Sequence, residues 1–199
     1  FDEETEEGKY YSCDRCDQQF LVENPRPFTG TPQQRIDAYC ATTGYPRSIF
    51  LGEDGRIVGT WIMGNNYTVK SGLYGGYPHG YLKRIRALFP DKTNILHLFS
   101  GCVDLDALPG KTCDINPDRN PDYVDDAQTL ESVPVEQFDL IVADPPYSVE
   151  DCEHYGVSMV RRNLVLKALG ARMRPGAHVV WLDQVLPVYR KDQFTLEAT

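Results

Sequence analysis

The apolar run Phe138-Asp-Leu-Ile-Val-Ala143 ends abruptly at Asp144-Pro145-Pro146-Tyr147. A short continuous run bounded by turn formers suits a strand covered on both faces. Two successive prolines then forbid its continuation, because each lacks an N–H and fixes φ at about −65°. The chain must therefore fold around a buried strand that carries a stiff turn at its C-terminal end. Asn94–Phe99, Lys111–Ile115 and Ala177–Leu182 are strands of the same kind, and Phe194–Ala198 is expected to begin a fifth. Between Phe138–Ala143 and Ala177–Leu182, the segment Glu150–Arg174 places Val157, Val160, Leu164, Leu166, Leu169 and Met173 at helical spacing before Pro175-Gly176. That spacing predicts one helix. Strand, helix and parallel strand in this order imply a doubly wound α/β sheet. Such sheets bind ligands beyond the carboxyl ends of their strands, which is where Asp144 stands.

The N-terminal third differs. Residues 8–70 are rich in turn formers, among them Asn24-Pro25, Thr31-Pro32 and Tyr45-Pro46. Pro32 to Cys40 predicts a short helix capped by Thr31. The stretch from Ser48 to Ile62, with Asp54-Gly55 at its centre, predicts a β-hairpin. The expected division is thus a small α+β appendage over residues 1–70 and an α/β domain over 71–199. The appendage holds a Tyr11-x-Cys13-x-x-Cys16-x-x-x-Phe20 run, which resembles a zinc knuckle because two thiolates at this spacing can clasp one ion. Cys40 is a third candidate ligand and no fourth stands at suitable spacing, so the reading stays open between bound zinc and reduced thiols.

Composition narrows the partners. No apolar stretch approaches the roughly 20 residues a membrane span needs, and no leader opens the chain, so a cytoplasmic protein without a membrane partner is expected. The net charge of −9 is unusual for an enzyme that grips phosphate backbones. Five of the 29 acids stand in the first seven residues, and the rest still outnumber the 20 bases. Contact with a nucleic acid would then fall to local patches: Lys83/Arg84/Arg86, Arg161/Arg162 and Arg190/Lys191, each of which reads equally as a solvated helix face.

Asp144-Pro145-Pro146-Tyr147 after an apolar strand resembles the catalytic signature of S-adenosylmethionine-dependent amino-methyltransferases of the DPPY type, which act on adenine N6 in DNA. The resemblance covers residues 74 to 198 and implies a Rossmann-like methyltransferase sheet. Its chemistry fits the residues. An exocyclic base amine is a poor nucleophile because its lone pair is delocalised into the ring. The Asp144 carboxylate and the Pro145 carbonyl can each accept one amine N–H, while Pro146 stiffens the turn and Tyr147 offers a flat face to an extruded base. For the cofactor, the resemblance implies Phe99-Ser100-Gly101 under the methionine part, with Val103 where a second glycine is usual. It implies Asp114 on the ribose hydroxyls with Ile115 on the adenine face, Asp126 and Ala127 at the adenine edge, and Tyr74, Tyr77 and Gly80 in a segment closing over the carboxylate. Only Cys102 to Gly110 separates the first two strands, so the usual first helix must be very short or missing. His79 and His154 are expected near the cleft.

The expected activity is methyl transfer to a nucleobase amine, adenine N6 in DNA first. The alternatives are an RNA base methyltransferase and a non-catalytic partner subunit of the same fold. Asp at position 144 speaks against the Asn-Pro-Pro-Tyr enzymes that methylate protein glutamine. A complete sheet of this class has seven strands, so truncation, or a protein partner or further segment that completes the sheet, is also expected.

Overall fold

The computed structural model describes residues 3–4, 8–12, 19–23, 28–45, 47–64 and 76–199. The chain forms two compact units, Phe1–Thr31 and Pro32–Thr199. In the first, strands β1 (Glu3–Glu4), β2 (Gly8–Ser12) and β3 (Gln19–Glu23) make an antiparallel sheet in that order. Cys13, Cys16 and Tyr74 lie outside the described residues.

The second unit begins with helix α1 (Pro32–Thr43), strands β4 (Ile49–Leu51) and β5 (Ile57–Gly59), and helix α2 (Tyr81–Leu88). Strands β6 (Ile95–Leu98), β7 (Lys111–Asp114), β8 (Tyr123–Val124) and β9 (Leu140–Ala143) follow. Helices α3 (Val149–Tyr155) and α4 (Arg162–Arg172) and strand β10 (His178–Trp181) complete it. Strands β6 to β10 form one parallel sheet in the order β10-β9-β6-β7-β8. The chain runs outward from β6 through β7 to β8, then returns to β9 on the other side of β6. Adjacent connections therefore diverge between β6 and β9, and a crevice opens at their carboxyl ends. The unit is α/β, with a five-stranded parallel sheet flanked by helices, compatible with a Rossmann-like fold.

The two-residue period of the strands divides the core. Leu96, Leu98, Ile141 and Ala143 face Val165, Leu166 and Leu169 of α4. Ile95, Leu140 and Val142 face Tyr81, Leu82 and Ile85 of α2, three residues at helical spacing. Both central strands, β6 and β9, are buried along their whole length.

The structure departs from the sequence expectations at three places. The unit boundary falls at Thr31/Pro32, not near residue 70. Helix α1 and the β4–β5 hairpin share a core with Ala87 and Leu88 of α2, through Ile36, Tyr39, Ile49 and Ile57. The expected helix over Glu150–Arg174 is two helices. Gly156 at φ 65° ends α3, with Val157 N–H donating to the Cys152 carbonyl and Gly156 N–H to that of Glu153, a Schellman arrangement. Phe194–Ala198 adds no strand to the parallel sheet. Phe194 instead packs across α4 at Gly170, where a Cβ would come within 2.8 Å of its ring, and the last residues run beside β5. There Ile57 N–H donates to the Glu197 carbonyl at 2.8 Å and Thr199 N–H to that of Ile57 at 3.0 Å.

The connection between β6 and β7 holds no helix, as the short span from Cys102 to Gly110 implied. Leu108, 2% exposed, fills that face of the sheet from a loop, and the buried His97 holds it by a 3.0 Å bond from its Nε2 to the Leu108 carbonyl. Burial lowers the His97 pKa, with the Leu108 carbonyl working the other way, so the ring is neutral and Nε2 carries the proton. Gly110 closes the loop where a Cβ would meet the Ile95 carbonyl at 2.8 Å and the His97 ring at 3.1 Å. Gly110→Ala should therefore cost about 1–3 kcal/mol by overpacking, read as a lower urea midpoint. An unchanged midpoint would show that the loop yields freely. No helix among the described residues is long and apolar enough to cross a membrane.

Candidate functional site

The carboxyl ends of β6, β7, β8 and β9 open into one cleft of about 1690 Å³. Phe99 and Gly101 line it from β6, Asp114 and Ile115 from β7, Asp126 and Ala127 from beyond β8, and Asp144 through Tyr147 from β9. Trp61, Met63, Gly64, residues 76–80, Leu82 and Lys83 form one wall, and Asp151, residues 154–158 and Val160 contribute another.

Asp144 projects from the tip of the most buried strand. Its neighbour Pro145 is buried, and Asp144 Oδ1 is buried with no protein hydrogen-bond partner. An unsatisfied buried acceptor is unfavourable by roughly 1–3 kcal/mol, more when charged, and so calls for an explanation. Burial first, then the negative charges of Asp183 and Asp151, pushes the Asp144 carboxyl from its usual 3.8 up to about 7. The resting protein thus holds this side chain near half-protonation at neutral pH.

Two acids not expected from the sequence create that field. Asp183 follows β10, whose register sets Trp181 beside Ala143, and Leu182 N–H donates to the Ala143 carbonyl at 2.9 Å. Asp144 and Asp183 consequently leave neighbouring strand tips together. Arg162 of α4 grips Asp183 with two bonds, Nε to Oδ2 at 2.6 Å and Nη2 to Oδ1 at 2.9 Å, and the Trp181 indole donates a third at 3.0 Å. The Asp183 side chain is 1% exposed. Burial works to raise its pKa, but these donors and the Gln184 N–H outweigh it and hold the carboxyl below the usual range. Asp151 belongs to the capping box that opens α3, exchanging bonds with Ser148 through backbone and side chain. One sequence signal could have found Asp183: an acid ends its apolar run, just as Asp114 and Asp144 end theirs.

The loop after β6 is strained as well as short. Phe99 adopts φ 56° and Gly101 φ 48°. The first is the left-handed region that a phenylalanine rarely enters, and such strain is concentrated at ligand sites. Ser100 is buried behind the turn, its N–H donating to the Cys113 carbonyl, and does not line the cleft. Asp114 holds the turn in place, accepting from Gly101 N–H at 2.8 Å and from Asn116 N–H at 2.9 Å. Each carboxylate oxygen keeps a further lone pair for a ligand. Ile115, 54% exposed, presents an apolar face beside it. Asp126 accepts from Gln128 N–H at 2.8 Å, and Ala127 is buried.

The remaining expectations divide. Gly80, at φ 78°, precedes α2 and lines the cleft. Tyr77 lines it too but serves the core, stacked on Tyr81 at 5.4 Å with its hydroxyl donating to the Val142 carbonyl at 3.4 Å. Burial, then the charge of Asp144, raises the pKa of both phenols. His79 and His154 line the cleft, joined by Arg119, whose Nη1 donates to Cys102 Sγ at 3.4 Å. Among the basic patches, Arg84 is bonded to the Tyr39 hydroxyl and lies over the Trp61 and Tyr45 rings, Arg162 is bound to Asp183, and Arg190 to Asp192. Lys83 alone of these patches reaches the cleft. Cys40 sits half-buried on α1 against its local core, and among the described residues no three His, Cys, Asp or Glu side chains group as a metal site. No family model, curated protein or solved structure matches this chain.

Proposed function

We propose that the second unit is a Rossmann-like S-adenosylmethionine-dependent methyltransferase that modifies the exocyclic amine of a nucleobase, adenine N6 in DNA. The observation that carries the reading is the unsatisfied Asp144 oxygen, on a turn stiffened by two prolines, at the tip of β9 where the strand order reverses. The cleft exceeds the roughly 300–1,000 Å³ that one drug-sized ligand fills, and so has room for a nucleoside cofactor and a base together.

The residues present fit the cofactor. Asp114 retains acceptor capacity for two ribose hydroxyls, Ile115 offers an apolar face to adenine, and Asp126 and Ala127, which line the same cleft, are assigned the adenine edge. The strained Phe99-Ser100-Gly101 turn lets backbone approach the methionine part. When bound, S-adenosylmethionine supplies an electrophilic methyl group on a sulfonium. The chain does the rest. Asp144 and the Pro145 carbonyl accept the two amine N–H groups and turn the nitrogen lone pair outward. Tyr147 stacks on the base. Asp144 then takes the proton that the amine must lose, a role suited to a carboxyl that titrates near neutrality. A clamped base in line with its methyl donor needs little further help.

The test is incubation with labelled S-adenosylmethionine and either DNA or RNA, followed by digestion to nucleosides. Label in N6-methyladenine of DNA is the expected result; label in RNA alone would move the substrate to RNA. No label in either would end the reading. Asp114→Ala should weaken S-adenosylmethionine binding by about ten- to a hundredfold, since it removes charge-assisted hydrogen bonds and frees the Gly101 turn. Calorimetry showing unchanged affinity would remove Asp114 from the site.

A further inference from the structure

Among the described residues, carboxyls and phenols act on Asp144. Asp183 faces it from the tip of β10 and Asp151 from α3, while the phenols of Tyr77 and Tyr81 face it from the segment entering α2. Arg162 of α4 is directed at Asp183, to which its Nε and Nη2 donate. The negative charge of Asp183 is thus held at the next strand tip, and the oxygen left without a protein partner is on the residue at the cleft. A further anion beside such a group is unfavourable, and a cation is welcome.

Resting on the methyltransferase reading, we infer that Asp183 is a positioning residue that acts through Asp144 to make the cleft choose its nucleoside by charge, holding the sulfonium cofactor and releasing the neutral thioether. The chemistry of transfer makes this choice useful. The methyl carbon leaves sulfur for the amine nitrogen, and the C–S electron pair stays on sulfur. The sulfonium thereby becomes uncharged S-adenosylhomocysteine, and the amine gives up its proton. An ionised Asp144 attracts the first nucleoside far more than the second, and the proton it gains at turnover abolishes even that attraction. Asp183 sets the pH at which this occurs, because Arg162 and Trp181 fix its negative charge at the next strand tip.

Binding of S-adenosylmethionine and S-adenosylhomocysteine, measured by calorimetry in buffers of different ionisation heat, tests this without turnover. The ratio of the two affinities should rise by about tenfold in favour of the sulfonium between about pH 6 and pH 8, with proton release on sulfonium binding alone. In Asp183→Asn the midpoint of that rise should fall by about one pH unit. Replacing the pair as a unit, Arg162→Met with Asp183→Asn, leaves no stranded charge and should move the midpoint in the same direction. In Asp144→Asn the ratio should be flat. If neither nucleoside binds the wild type, the methyltransferase reading falls and this inference with it. If both bind with a ratio flat in pH, or if the paired variant leaves the midpoint where it was, only the role of Asp183 is overturned.

Discussion

Asp144→Asn should give a protein that is more stable than its parent above neutral pH and nearly inactive in methyl transfer. The stability gain follows from linkage. The carboxyl titrates at about 7 in the folded chain against 3.8 normally, so the folded state holds its proton more tightly than the unfolded one. Stability consequently falls as pH rises from about 4 to 7, and above 7 the full penalty remains. That penalty is about 4 kcal/mol, on the order of 10 °C in Tm for a chain of this size. Asparagine keeps the shape without the charge, so the variant should gain most above pH 7 and nothing near pH 4. Activity should fall by about 10³-fold, because the amide is a weaker acceptor and cannot take up the proton. Urea melts at pH 5 and pH 8 decide the first part, and nucleoside analysis the second. Equal melts at both pH values would mean that the carboxyl is solvated; full activity would remove it from the chemistry.

What the sequence reveals and what it hides have the same cause. Strands β6, β9 and β10 were legible because each is a short apolar run ended by turn formers, β7 (Lys-Thr-Cys-Asp) by its place between them, and Asp114 and Asp144 as acids at strand tips. Strand β8 was not, since Tyr123–Val124 is only two residues long and pairs along one side. The break between α3 and α4 was hidden because Val157 and Val160 keep helical spacing through it, and a glycine at position 156 reads in sequence as a tolerated interruption. Tyr77 resembled a ligand residue but is half of a stacked tyrosine pair beneath Asp144, a distinction that depends on packing alone. Asp183 escaped notice because its importance comes from β10 lying beside β9, and sequence order places two helices between them. The C-terminal segment carried strand-like residues, but its partner proved to be β5, about 140 residues earlier in the chain, and no local pattern encodes so distant a pairing.

Arg162→Ala should destabilise this unit by about 3–5 kcal/mol near neutral pH. Arg162 is 21% exposed, and its partner Asp183 is 1% exposed. Removing the guanidinium therefore strands a buried carboxylate with only the Trp181 indole and the Gln184 N–H to compensate it. In the wild type the depressed pKa of Asp183 adds stability that is present above the unfolded value and lost as pH falls through the folded one. In the variant the sign reverses. Burial is no longer opposed by the fork, the carboxyl holds its proton more tightly when folded, and the penalty grows as pH rises. The gap between wild type and variant should accordingly be widest above neutral pH and close as the medium approaches the ordinary carboxylate range. Arg162→Met with Asp183→Asn should lie within about 1 kcal/mol of wild type, because a buried pair replaced as a unit leaves nothing uncompensated. Denaturant melts across pH on the two variants separate the cases. A single variant as stable as the double at every pH would show that the pair behaves as a solvated surface contact, and that Asp183 exerts no fixed field on its neighbour.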